Sequence, residues 1–253
     1  MFGKRSKINL PIPIWLRFYL KFSKILKNNK NVTFEMDLPK DIREGESLPV
    51  ESISNFLRSK GFNTDNLSIK QFPSGFSNLT YYLKTNDHEL VLRRPPYGAD
   101  SLKGGHDMFR EYQILKKLKT EFAKIPNVHF YSDDKSILGV PFYVMDCVKG
   151  YILRPGLSQK NAPDSDTISG IADSLVDTLV ELHQVDLNKS ELMNFGKIDG
   201  YVERQIAGWT KRYYHTKTDD IPEMDFIAKW LSENQPKESS SSIIHNDFKY
   251  DNM

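Results

Sequence analysis

Strand-like alternation in this chain is confined to residues 67–148, and from residue 168 to the approach of Ile243 the apolar residues recur at helical spacing instead. The runs at 67–72, 79–85 and 88–93 are separated by turn formers, the pattern of an antiparallel meander. Residues 109–122 break it with a helix, placing Tyr112, Leu115, Leu118 and Phe122 on one side and lysines on the other. Strands are expected again at 128–131 and 139–148, the second nearly continuous in apolar residues and therefore buried. A short helix over 51–61 precedes the meander, with Ile53, Phe56 and Leu57 inward and Gly61 as its stop. After it, Ile168, Ile171, Leu175, Leu179 and Leu182 mark the core face of a helix over 168–183, and 201–214 and 224–232 also read as helical. Strands with one helix, followed by helices alone, make an α+β arrangement of two lobes. The expected division is an N-terminal extension (1–45), a first lobe (46–150) and a helical second lobe (151–253).

Charge narrows the function. Basic and acidic residues number 35 and 33, so no chain-wide field favours nucleic acid, and any polyanion site must be local. The one cysteine, Cys147, cannot form an internal disulfide and reads as a small filler residue. No Cys/His cluster has zinc spacing, and a reducing, cytoplasmic setting fits. The N-terminus departs from this balance, because every charged side chain before Glu35 is basic. Over residues 14–28, Arg17, Lys21, Lys24 and Lys27 would form a basic stripe, with Trp15, Phe18, Tyr19, Phe22, Ile25 and Leu26 covering the rest. The segment is too short and too charged to span a bilayer. Two dockings are open to it: its own protein or a partner subunit, or the surface of an anionic membrane.

Chemistry is concentrated at 243–252, which reads IIHNDFKYDN. His245, Asp247 and Asn252 stand in an H-x-D-x-x-x-x-N spacing. Phosphoryl transfer needs a carboxylate to receive the acceptor's hydroxyl proton and a neutral oxygen ligand to hold magnesium against the phosphates. Asp247 and Asn252 suit those two tasks, although an Asx-rich turn has the same composition. Upstream residues follow the same logic. In FPSGFSNLTYY (72–82), Ser74, Gly75, Ser77 and Asn78 form a turn whose backbone N–H groups could approach phosphates, or a plain hairpin turn. The strand at 90–94 ends in two arginines, and the next helix carries Glu111, a cation and carboxylate placed to form a phosphate-binding pair. The stretch FYVMDCV (142–148) would be the hinge between lobes, where the backbones of Asp146 and Val148 could meet adenine.

These motifs together resemble the aminoglycoside phosphotransferase and choline-kinase-like superfamily, which has a protein-kinase-like two-lobe fold. Within it, SGFSNLTYYL, VLRRPP, REYQILKKL, PFYVMD, ELHQVD, GYVERQIAGW and IIHNDFKYDN are most similar to the kinase-like domain found alone in bacteria and fused to acyl-CoA dehydrogenases in animals. The resemblance is collinear over residues 44–252. It implies ATP and Mg2+ as cofactors and a hydroxyl of a small molecule, such as a hydroxyacyl compound, as acceptor. It also implies that Arg93 replaces the usual ATP lysine, Glu111 pairs with it, Asp247 is the catalytic base and Asn252 is a magnesium ligand. A planar guanidinium can hold phosphate oxygens bidentately.

Two departures stand out. Asn246 occupies a position that is usually glycine in this family, so some strain is expected in the loop. The family's second metal-binding aspartate lies beyond the catalytic loop, and the sequence ends at Met253. On that ground the 253-residue chain is expected to have little activity and poor stability, and a nucleotide- or partner-binding protein without catalysis is the alternative reading. His183 reads as a helix C-terminal dipole partner. Trp209, Arg212 and Tyr213 read either as acceptor-pocket residues or as an ordinary core-and-surface helix.

Overall fold

The computed structural model describes residues 38–73, 78–98, 106–150, 152–153, 163–237 and 241–252. Helix α1 (Val50–Ser59) leads into strands β1 (Ser68–Gln71), β2 (Leu79–Lys84) and β3 (Glu89–Arg94). Then come α2 (Met108–Leu118), β4 (Val128–Ser132), a one-turn α3 (Lys135–Leu138) and β5 (Phe142–Asp146). Three longer helices complete the α+β architecture: α4 (Ser165–His183), α5 (Tyr201–Thr216) and α6 (Pro222–Glu233). The strands form one antiparallel sheet in the order β1-β2-β3-β5-β4. The basic segment expected to dock through residues 14–28 lies outside the described residues. No helix among the described residues is long and apolar enough to cross a membrane.

Two-residue periodicity divides the sheet's side chains between two cores. On one face Tyr81, Leu83, Leu90, Leu92, Phe142 and Val144 pack with Ile53 and Leu57 of α1. Tyr143 and Met145 point to the other face, toward Met108, Tyr112, Leu115 and Leu118 of α2. This second core also takes in Leu182 at the end of α4, the loop residues Leu187 and Leu192, and Ile243. It is the apolar bridge between the sheet and the helical region.

The register separates the two adjacent arginines of β3. Arg93 pairs across the sheet with Thr80 and Tyr143 and faces α2. Arg94 is fully buried on the α1 face. There it donates to the Tyr81 hydroxyl and the Pro95 carbonyl, both at 3.0 Å, with its guanidinium 4.0 Å from the centre of the Tyr97 ring. Tyr81 in turn donates to the Glu46 carbonyl at 2.7 Å, tying the segment before α1 to the sheet.

Local signals account for the helix starts. Asp107, Asp134 and Asp164 each accept a backbone N–H in the first turn of α2, α3 and α4, at 2.8–2.9 Å. Two expectations need correcting. The strand expected over 139–148 begins at Phe142, because Gly139, at φ 77°, closes the α3 turn in the left-handed region. In α4 the buried residues are Thr167, Ile171, Thr178 and Leu182, whereas Ile168 is exposed. The Thr178 hydroxyl meets its polar need by accepting from Lys124 Nζ at 3.1 Å. Helices α5 and α6 pack on each other and contain no buried residue, leaving Trp209, Phe226 and Trp230 exposed.

Leu92 is inaccessible in the centre of the sheet, and Asp164 caps α4 near the surface. Leu92→Ala is expected to cost about 2–5 kcal/mol through cavity formation, and Asp164→Ala about 1 kcal/mol through loss of the cap. Urea denaturation checks the ranking, and equal costs would contradict this account of the core.

Candidate active site

The buried end of β3 meets the first turn of α2. Arg93 Nε donates to Glu111 Oε2 at 3.0 Å, and their side chains retain 3% and 8% of their accessibility. A buried ion pair is stable only when its remaining hydrogen-bonding needs are met. Two neighbours serve Glu111. The Tyr143 hydroxyl donates to Oε2 at 3.1 Å, and Asn78 Nδ2 donates to Oε1 at 3.2 Å. Burial, and after it the Glu111 carboxylate, push the Tyr143 phenol well above its usual range, so it remains a donor at neutral pH. Asn78 Oδ1 in turn lies 2.7 Å from His106 Nδ1.

The structure thus brings together Arg93 and Glu111, as the motif order suggested, and adds Tyr143 and His106, which sequence reasoning missed. Tyr143 lies opposite Arg93 in the β3–β5 register, and pairing between strands 50 residues apart leaves no local signal. Asn78, expected in a phosphate-facing turn, is buried, with its amide turned inward to Glu111. Gly75 and Ser77 lie outside the described residues.

The expected hinge is the end of β5. The Asp146 amide donates to the Asn127 carbonyl at 2.9 Å. Its carboxylate is held by Asn127 Nδ2 at 2.6 Å and lies 2.7 Å from His129 Nε2. The Asp146 side chain therefore braces the segment, and only its carbonyl could face a base. Cys147 donates its amide to the Glu89 carbonyl at 3.1 Å and is half-buried, and Val148 beyond it is exposed.

The third component is the loop after Ile243. His245 is buried, and its Nδ1 accepts the Asp247 amide at 3.3 Å, which selects the tautomer protonated on Nε2. Its ring stacks edge-on against Phe248, with centres 5.5 Å apart. Asn246 takes φ 64°, a left-handed conformation that glycine adopts freely and asparagine tolerates. Asn252, in a single 3₁₀ turn, donates through Nδ2 to both the Asp247 carbonyl at 2.9 Å and Oδ2 at 2.8 Å. Lys249 Nζ is 3.4 Å from the same Oδ2. Because the Asn252 amide nitrogen is committed to Asp247, its Oδ1 can face a cation. An amide oxygen beside a carboxylate is a donor set that suits a hard divalent ion such as Mg2+. Among the described residues no group of three or more His, Cys, Asp or Glu side chains could hold a metal.

His183 ends α4, as expected of a dipole partner. Trp209 is exposed and carries the Arg212 guanidinium 4.7 Å from its ring centre, so this pair lies on the surface.

Residues 68–253 match the model of the phosphotransferase enzyme family. The chain is 32% identical over 218 residues to acyl-CoA dehydrogenase family member 10 of Mus musculus, covering 84% of this chain and 20% of that protein. It is 36% identical over 188 residues to acyl-CoA dehydrogenase family member 11 of Gallus gallus, covering 74% and 24% respectively. The chain thus spans a fifth to a quarter of the length of these relatives. Among solved structures, a candidate aminoglycoside phosphotransferase of Ralstonia eutropha JMP134 superposes with a TM-score of 0.67 at 30% identity, covering 81% of this chain and 60% of that one.

Removing one partner of the buried pair should strand the other. Glu111→Ala is expected to destabilise the protein by about 3–5 kcal/mol. The double change Arg93→Met, Glu111→Leu is expected to cost less than the sum of the two single changes. A double-mutant cycle in urea measures the coupling, and additive costs would show that the pair does not organise the site.

Proposed function

Because the chain belongs to the phosphotransferase enzyme family, we propose that it transfers the γ-phosphoryl group of ATP to a hydroxyl of a small molecule. The observation that carries this reading is the Asp247–Asn252 contact, which joins a candidate base to a candidate metal ligand within one short loop. Asp247 receives the proton of the acceptor hydroxyl as its oxygen attacks the γ-phosphorus, and ADP leaves with the electrons of the broken P–O bond. Asn252 Oδ1 would help to hold magnesium, which would supply charge neutralisation on the transferring group. Arg93, kept in place by Glu111, directs its guanidinium to the α- and β-phosphates. The carbonyl of Asp146 and the amide of Val148 meet the adenine edge.

The likeness to acyl-CoA dehydrogenase family members supports a hydroxyacyl compound as acceptor. An aminoglycoside is less well supported, since a polycation calls for many carboxylates, and charge in the second lobe is mixed. One cysteine and no membrane-spanning helix among the described residues accord with a cytoplasmic setting.

Two variants separate catalysis from binding. In a version of the protein that also carries the family's second metal-binding aspartate, Asp247→Asn should lower kcat by about 10²–10⁴-fold with little change in ATP affinity, because the base acts on the acceptor. Equal turnover by variant and parent across a hydroxyl-acceptor panel would remove Asp247 from this role. Arg93→Ala should weaken nucleotide binding by about 1.5–3 kcal/mol, measured by calorimetry on folded protein. Unchanged affinity would show that the phosphates are held elsewhere.

A further inference from the structure

A second cluster of cations gathers where α2 meets the start of α5. Arg110 precedes Glu111 in α2, and with Lys197 and Arg204 it lines a cleft of about 450 Å³ between α2 and the start of α5. The remaining polar walls are Asn194, Tyr201 and Gln205, and no carboxylate lines the cleft. None of the three cations makes an ion pair among the described residues. Both arginines are instead held by backbone carbonyls. Arg110 Nη2 donates to the Phe195 carbonyl at 3.2 Å. Arg204 donates through Nη2 to the Lys197 carbonyl at 2.6 Å and through Nη1 to the Asp199 carbonyl.

This arrangement favours an anionic ligand. Three like charges share one concave surface, and the carbonyl dipoles that fix the guanidinium planes do not neutralise them. The lining supplies no carboxylate, so an anion entering the cleft meets three cations and no like charge. Pre-oriented guanidinium groups suit a tetrahedral oxyanion, which accepts several parallel N–H bonds at once. The cleft is within the size range of small-molecule sites. We propose that it is an anion-binding site for a small molecule bearing a phosphate or pyrophosphate group, separate from the nucleotide site. Asn194, Tyr201 and Gln205 supply neutral hydrogen-bonding groups for the remainder of that molecule. The inference stands apart from the phosphoryl-transfer reading, since it requires no turnover and uses none of Arg93, Asp247 or Asn252.

Pyrophosphate and inorganic phosphate are the probes, titrated into the intact chain by calorimetry with ³¹P NMR as a second readout. Lys197 has an exposed side chain, so Lys197→Gln should leave the fold intact while weakening pyrophosphate binding roughly tenfold. Adding Arg110→Gln should weaken it further, with circular dichroism confirming a folded protein. Arg93→Lys and saturating adenine nucleotide should leave pyrophosphate binding at this site unchanged. The proposal is overturned if the parent binds neither anion, if the cleft variants bind as the parent does, or if nucleotide competes for all of the pyrophosphate bound. A failure of the phosphoryl-transfer reading would appear in the Asp247 and Arg93 experiments and leave this titration unaffected.

Discussion

The buried pair of Arg93 and Glu111 is the contact on which the arrangement of the molecule turns. Taking a guanidinium and a carboxylate out of water is unfavourable unless every remaining donor and acceptor finds a partner. Tyr143 in β5 and Asn78, the residue before β2, satisfy Glu111, so the pair holds β2, β3, β5 and α2 in one relative position. Helix α2 then carries Leu115 and Leu118 into a core shared with Leu182, Leu192 and Ile243. Phe248 packs on that core as well, so the apolar residues flanking Asp247 rest on the helix that the ion pair positions. An electrostatic contact in the sheet is thereby linked, through packing, to the placement of a carboxylate more than a hundred residues later.

Much of this was legible from residue order. The strand-like runs at 79–85 and 88–93 matched β2 and β3, and the helical spacing over 109–122 matched α2, whereas α4 starts at Ser165 behind its Asp164 cap, three residues before the expected start at Ile168. Glu111, in the first turn of a well-patterned helix, was an evident partner for a strand arginine. What escaped notice shares a physical cause: it depends on contacts between distant segments. Nothing near Tyr143 indicates that it faces Arg93, because that follows from the register of β5 on β3. The inward turn of Asn78 is set by an acceptor 33 residues away. In α4, hydrophobicity alone placed Ile168 inside, whereas the structure leaves it exposed and buries Thr178, whose hydroxyl accepts from Lys124. The short α3 was lost because a single turn has too little periodicity to register.

The neighbouring arginines Arg93 and Arg94 show how little sequence distance can separate two duties. Pleating sends one guanidinium to the ion pair at α2 and the other beneath Tyr97 on the α1 face. Arg94 locks the segment around Glu46 to the sheet through Tyr81 and has no contact with the candidate site among its hydrogen bonds. A one-residue slip in β3 would exchange the two environments, placing a cation made for a carboxylate among aromatic rings and leaving Glu111 without its partner. The register of this strand is thus specified twice, once on each face.

The exposed apolar side chains of α5 and α6 determine what light can report about this protein. Of its three tryptophans, Trp209 and Trp230 stand on that hairpin with 63% and 50% of their surface in solvent, and Trp15 lies far from the sheet in sequence. The sheet and α2 contain no tryptophan, and their buried chromophores are tyrosines such as Tyr81 and Tyr143. Indole emission from the hairpin will therefore start red-shifted and respond to whatever covers that face. Loss of the sheet will instead be visible in the near-ultraviolet signals of its buried tyrosines, to which Tyr201, Tyr213 and Tyr214 of α5, none of them buried, add a weaker contribution.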